Sequence, residues 1–144
     1  FFVAMQSDMP ENWLLFVAER AGRPIASSLI GLSSASADGR QPGVAYGRYW
    51  GALERVDCLH FEACYYQGID YCIRHGLKRM DSGAQGEHKI QRGFAPVNTW
   101  STHWIARDDF RSAIAHFLQE EAAHIGSYIE QAAGYLPFRK DLQL

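Results

Sequence analysis

Most of the compositional signals that mark a specialised protein class are absent from this sequence. Its 144 residues hold only three cysteines, Cys58, Cys64 and Cys72, too few and too clustered for a disulfide-built secreted scaffold. Cys64 and Cys72 stand eight positions apart on one expected helix, too far for a bridge, so reduced thiols and a cytoplasmic setting are expected. No apolar run reaches the roughly 18 residues that a membrane-spanning helix requires. The opening residues, Phe1-Phe2-Val3-Ala4-Met5, lack the basic start and long apolar core of a signal peptide. They also lack an initiator methionine, as a fragment or trimmed domain would. Charge of one sign is missing too: 14 Lys and Arg against 16 Asp and Glu leave a net −2. That excludes a global basic field for nucleic acid or an anionic membrane. The six histidines, at 60, 75, 88, 103, 116 and 124, are scattered, and neither HExxH nor CxxC occurs. No metal is expected.

What is present reads as one globular α/β domain, with 47% hydrophobic and 21% charged residues. Trp13-Leu14-Leu15-Phe16-Val17-Ala18 and Ile25 to Leu32 are strand-like runs around the turn Ala21-Gly22-Arg23-Pro24, which predicts a hairpin. Ser33 to Gly43 reads as a loop with Asp38-Gly39 as its turn. Val44, Tyr46, Arg48 and Trp50 alternate with Ala45, Gly47, Tyr49 and Gly51, the period of a third strand in an antiparallel meander. Leu59 to His75 then carries apolar residues at helical spacing, with Gly76 as its stop. Lys78 to Asp81 is a short strand, and a glycine-punctuated loop leads to a helical turn ending at Gly93. Pro96 to Ala106 is rich in strand formers, including Val97, Thr99, Trp100, Thr102 and Trp104. Asp108 and Asp109 are placed to cap a last helix whose apolar positions include Phe110, Ile114, Phe117, Ile125 and Ile129. The expected order is β-β-β-α-β-(short α)-β-α.

Three constellations carry chemistry. Gly83 and Gly86 ahead of Lys89 and Arg92 form a loop whose amides can turn outward while two cations share a helical face, a plausible phosphate site. It is neither a Walker loop nor GxGxxG, and a plain strand-to-helix turn with two solvated cations is the competing reading. Gly47 and Gly51 sit in a strand among aromatics, including Trp50. They either admit a ligand backbone or relieve crowding. Glu54, His60, Glu62 and Asp81 are the groups able to take a proton from an attacking amine.

The segment from Tyr46 to Phe94 has a familiar order. Tyr49-Trp50-Gly51-Ala52 is followed by Leu59-His60-Phe61, then Gly76-Leu77-Lys78-Arg79-Met80-Asp81-Ser82-Gly83, then Lys89-Ile90-Gln91-Arg92-Gly93-Phe94. This resembles the Fem-like branch of the GNAT acyltransferases. Glu62-Ala63-Cys64-Tyr65-Tyr66-Gln67-Gly68 and Gly83-Ala84-Gln85-Gly86-Glu87-His88-Lys89 carry a closer similarity to the FemAB-like group, from about Trp13 to Lys140. The resemblance implies a mixed, mostly antiparallel sheet flanked by helices and truncated on its N-terminal side. Residues 1–144 would then be one GNAT-like domain, the C-terminal half of a longer two-domain protein. A missing domain or a second chain would cover part of its surface.

It also implies transfer of an acyl or aminoacyl group to a primary amine, on a small molecule or a cell-wall precursor. Acyl-CoA or aminoacyl-tRNA would be the donor, and no cofactor would be permanently bound. Glu54 or His60 would be the base, the strand around Gly47, Trp50 and Gly51 would polarise the donor carbonyl, and Gly83, Gly86, Lys89 and Arg92 would hold phosphate. Where GNAT enzymes carry a Q/RxxGxG/A loop, this chain reads Glu54-Arg55-Val56-Asp57-Cys58-Leu59, and Gln91 stands where Fem enzymes have a basic residue. A non-catalytic binding or scaffolding domain on the same fold is the alternative.

Overall fold

Strand β1 (Trp13–Arg20) and strand β2 (Arg23–Ser33) form the expected hairpin, each running slightly longer than its apolar run. Their two-residue turn places Ala21 at φ +50° and Gly22 at φ +74°, the left-handed pair whose twist matches that of the flanking strands. Strand β3 (Val44–Ala52) joins β2 antiparallel, and the meander is complete. A computed structural model describes residues 1–34, 43–84 and 86–138; Asp38-Gly39, read from sequence as a turn, lies outside them. By its contacts the chain divides into two units, Phe1–Gln85 and Gly86–Leu144.

In the first unit, a helical stretch follows the meander. It is built of α2 (Leu59–Phe61), a π-helical turn (Glu62–Tyr66) and α3 (Gln67–His75). Gly76, at φ +69°, ends it, and the Leu77 amide donates back to the Cys72 carbonyl at 2.9 Å. The chain then enters β4 (Arg79–Asp81), which pairs parallel to β3 and completes the sheet order β1-β2-β3-β4. The result is a mixed α/β fold with a four-stranded, mostly antiparallel sheet.

The core lies between one sheet face and the helical stretch. Ile30 (0% exposed), Ala45 and Cys72 form its centre, with Leu14, Phe16, Leu32, Leu77 and Met80 against them. Burial pushes the Cys72 thiol pKa up, so this cysteine is a small apolar filler and not a nucleophile. Gly68 allows the helix its approach: a Cβ there would stand 2.5 Å from Met80 Cε and 3.1 Å from Ile30 Cδ1.

The structure adds two elements before the sheet, helix α1 (Phe2–Asp8) and a 3-10 turn (Pro10–Asn12). Asn12 Nδ2 donates to the Leu32 carbonyl at 2.9 Å, and Phe2 meets Tyr49 edge-on at 6.0 Å, so both tie to the sheet.

The second unit corrects the expected strand over 96–106. That run is irregular, with Trp100 91% and Trp104 83% exposed. Strand-forming residues become a strand only where a neighbouring backbone satisfies their amides and carbonyls, and no described segment pairs with this one. Helix α4 (Asp108–Ala133) forms as one continuous helix, as read. Its cap differs: Arg107 is the N-cap residue, and Asp108 and Asp109 fall in the first turn, bonded to Arg111 and Arg107. Of its apolar positions, Phe110, Ile114, Phe117 and Ile125 are exposed. Periodicity identifies the helix, whereas packing needs a partner surface that periodicity does not supply.

Candidate functional site

The site begins where β4 ends. Strand β3 pairs with β4 only over Val44↔Arg79, Ala45↔Met80 and Tyr46↔Asp81. The chain then turns away: the Asp81 carboxylate accepts the Gly83 amide at 2.8 Å, and Gly83 sits at φ +81°. Asp81, one of the proton acceptors suggested by sequence, is thus a turn-forming group. Gly47 and Gly83 face each other at this fork. A Cβ on Gly83 would contact the Gly47 carbonyl oxygen at 3.5 Å, and one on Gly47 would contact the Asp81 carbonyl at 3.5 Å. Past the fork, β3 runs on to Ala52 with no described strand on its β4 side.

The backbone there has a defined polarity. The register steps from Leu29↔Tyr49 to Ile30↔Gly47, leaving Arg48 as an extra residue in a β-bulge. Beyond the bulge, the Leu53 amide donates to the Ile25 carbonyl of β2 at 2.8 Å. Successive amides of an antiparallel strand point to opposite edges, so those of Tyr49 and Gly51 face β2 while those of Trp50 and Ala52 face the open edge. Among Gly47, Trp50 and Gly51, Trp50 therefore presents its amide at the open edge beyond the bulge. Nothing stands within 4 Å of a Cβ built on Gly51, so crowding does not account for that glycine.

A cavity of about 400 Å³ opens at this end of β3, lined by Trp50, Ala52, Leu53, Glu54, Arg55, Val56, Leu59 and His60. Three residues that sequence had marked separately, Trp50, Glu54 and His60, meet here from a strand, a connection and a helix. The connection enters α2 through Cys58, which is left-handed at φ +63° although it is not glycine. Glu54 accepts a hydrogen bond from Arg20 Nη1 at 2.7 Å. The pair is exposed and contributes little to stability, but it occupies one carboxylate oxygen. His60 stands among aromatic rings: Trp50 at 5.4 Å, Phe61 at 5.5 Å and Tyr65 at 5.4 Å, all edge-on. Sequence reading missed Arg20 and the contact of Tyr65 with His60. Arg20 comes from a distant hairpin, and Tyr65 is five residues from His60, a spacing that signals no contact in a regular α-helix.

The proposed phosphate residues divide between the two units. Gly83 belongs to the first. Gly86, at φ +101°, precedes a six-residue 3-10 turn (Glu87–Arg92) of the second. Lys89 and Arg92 lie three apart on that turn, where such positions eclipse. Arg92 Nη1 donates to the His88 carbonyl at 2.7 Å, so its guanidinium has a local anchor. Gln85, within the loop, lies outside the described residues. Among the described residues, no three His, Cys, Asp or Glu side chains gather as a metal site, and no helix is long and apolar enough to cross a membrane. Cys58, Cys64 and Cys72 are not in disulfides.

Comparison with known proteins yields few matches. No curated protein matches the chain. Among solved structures, a ribosomal-protein-alanine N-acetyltransferase from Brucella melitensis biovar Abortus 2308 aligns with a TM-score of 0.48 and 11% identity, over 74% of this chain and 79% of that one. Similarity at that level transfers neither residues nor activity. The family comparison is broader. The model of the FemAB-like family, described as peptidoglycan biosynthesis/recognition, matches residues 1–140, almost the whole chain with its forked strand pair and its aromatic-walled cavity, and the chain belongs to that family.

Proposed function

We propose that this protein is an N-acyltransferase that moves an acyl group from an activated donor onto a primary amine. The observation that carries the reading is one cavity lined both by His60 and by Trp50, whose amide faces the open strand edge. Acyl transfer to an amine needs both. A donor N–H at the developing oxyanion stabilises the tetrahedral intermediate, and a base removes the proton from the attacking nitrogen.

In this scheme the amine nitrogen bonds to the carbonyl carbon of an acyl thioester such as acyl-CoA. The carbonyl oxygen gains negative charge against the Trp50 amide. His60 takes the amine proton and the thiol departs with it, leaving an amide and a free thiol. His60 is preferred to Glu54 as the base because an oxygen of Glu54 already accepts the Arg20 guanidinium. Lys89 and Arg92, with Gly86, would bind a phosphate. Family membership favours an amine on a cell-wall precursor as the acceptor. Cysteines outside disulfides suit a reducing cytoplasm.

The test is amine-dependent thiol release from acetyl-CoA across amino acids, amino sugars and short peptides, run in parallel with aminoacyl-tRNA as donor. Release that falls by about 100-fold in His60→Ala supports the scheme. Transfer from aminoacyl-tRNA alone would replace the donor and keep the reaction class. No transfer from either donor would favour a non-catalytic binding domain, a reading that the absence of glycine from the Glu54–Leu59 junction also favours.

A further inference from the structure

The π-helical turn is the feature that the proposed chemistry leaves unused. An α-helix advances about 100° per residue, so positions five apart diverge by about 140° and do not meet. A turn closed by i→i+5 hydrogen bonds is wider and returns such positions toward one face. Here the Gln67 amide bonds the Glu62 carbonyl, five residues back. The consequence is visible two residues earlier. Tyr65 stacks on Phe61, four residues before it, at 6.2 Å with 23° between the planes. It also meets His60, five residues before it, edge-on at 5.4 Å and 86°. One ring thus packs on two consecutive residues. Tyr65 is 4% exposed and does not line the cavity, whereas His60 does.

We infer that Tyr65 is a positioning residue: the π turn aims its ring at His60, and with Trp50 and Phe61 it fixes the imidazole at the cavity wall. A wide turn is less favourable than a regular one, and such turns recur at functional sites. The arrangement puts this local irregularity beside the group proposed to move the proton. The inference rests on the acyltransferase reading only for what that proton transfer accomplishes; the geometry of His60 stands by itself. The groups around the imidazole include Trp50, Phe61 and Tyr65, with Glu54 and Arg55 on the same cavity.

The experiment uses the isotope-labelled full chain and reads the ring protons of His60, assigned through His60→Gln. In the parent, nuclear Overhauser contacts join the His60 and Tyr65 rings, and neighbouring ring currents displace the His60 resonances from free-imidazole positions. Tyr65→Phe keeps that displacement, and Tyr65→Leu moves His60 toward the free value while His75, at the end of α3, stays in place. Wherever acyl transfer is measurable, Tyr65→Leu lowers kcat about ten-fold or more with little change in KM, and Tyr65→Phe restores it. A parent without the His60–Tyr65 contact overturns the inference even if Tyr65→Leu does not fold. So does a folded Tyr65→Leu chain with unmoved His60 resonances. Displaced resonances in a chain that transfers no acyl group uphold the positioning and remove the acyltransferase reading.

Discussion

Units 1–85 and 86–138 contain similar side chains and treat them oppositely. In the first, Ile30 is fully enclosed between sheet and helix, and most of the aliphatic residues that alternate with the meander's exposed positions have neighbours. In the second, Phe110, Phe117, Leu118 and Tyr128 stand exposed along α4, and only Ile90 and Ala132 are buried. The difference lies in what each secondary structure demands. A strand exists only by pairing, so its formation brings other backbones close and cores follow. A helix satisfies its own hydrogen bonds and forms without closing on anything. Apolar content thus measures capacity for a core, and topology decides whether the capacity is used.

The sharpest way to break this contrast is truncation on both sides of it. Ile30→Ala should cost about 2–5 kcal/mol by urea denaturation, as a large side chain is lost from a closed core. A loss below 1 kcal/mol would show that the sheet–helix core is loose. The next largest effect should be a gain. Ala21 occupies a left-handed position where asparagine is tolerated and alanine is strained. Ala21→Asn should raise stability by about 0.5–1 kcal/mol, read as a higher denaturation midpoint at unchanged slope.

The matching truncation on α4, Phe117→Ala, should change stability by no more than about 0.5 kcal/mol, because the residue is 58% exposed. A loss comparable to that of Ile30→Ala would mean that this face is covered in solution. The smallest effect concerns the start of α4. Hydrogen bonds from Arg107, and then from the Phe110 amide, hold the Asp109 carboxyl below its ordinary pKa. A lowered folded pKa gives a contribution that is present above the unfolded value and lost as pH falls through the folded one. Carboxyl-carbon NMR should therefore show Asp109 titrating below an unstructured aspartate, and Arg107→Gln should raise it. An Asp109 titration unchanged by that substitution would remove Arg107 as the cause.

Legibility followed the same division. The hairpin, the third strand and the helix stop at Gly76 were readable because alternation, turn residues and glycine act through a few neighbours. Pro96 to Ala106 read as a strand by composition, but composition does not report whether an edge is offered to it. At the site, Trp50, Glu54 and His60 were visible as residue types, and the fork between Gly47 and Gly83 brought new meaning to them. Arg20 reaches Glu54 only through the hairpin's fold, and Tyr65 reaches His60 only through a wide turn with no periodic signature. Both depend on tertiary or irregular local geometry, which residue spacing does not encode.

The short parallel pairing of β3 with β4 has a kinetic consequence. Strands β1, β2 and β3 join neighbours in sequence, whereas Tyr46 meets Asp81 only after the whole helical connection has been laid across the sheet. Loop-closure entropy makes that contact the slow one, and its brief ladder makes it the first to reopen. Amide hydrogen exchange should then find Ala26 to Ile30 among the slowest sites and Met80 to Gly83 among the faster ones within the unit. The fork would be assembled last and opened first, so a ligand that bridges β3 and the Ser82–Gly83 turn would act as a latch on the least durable joint of the sheet.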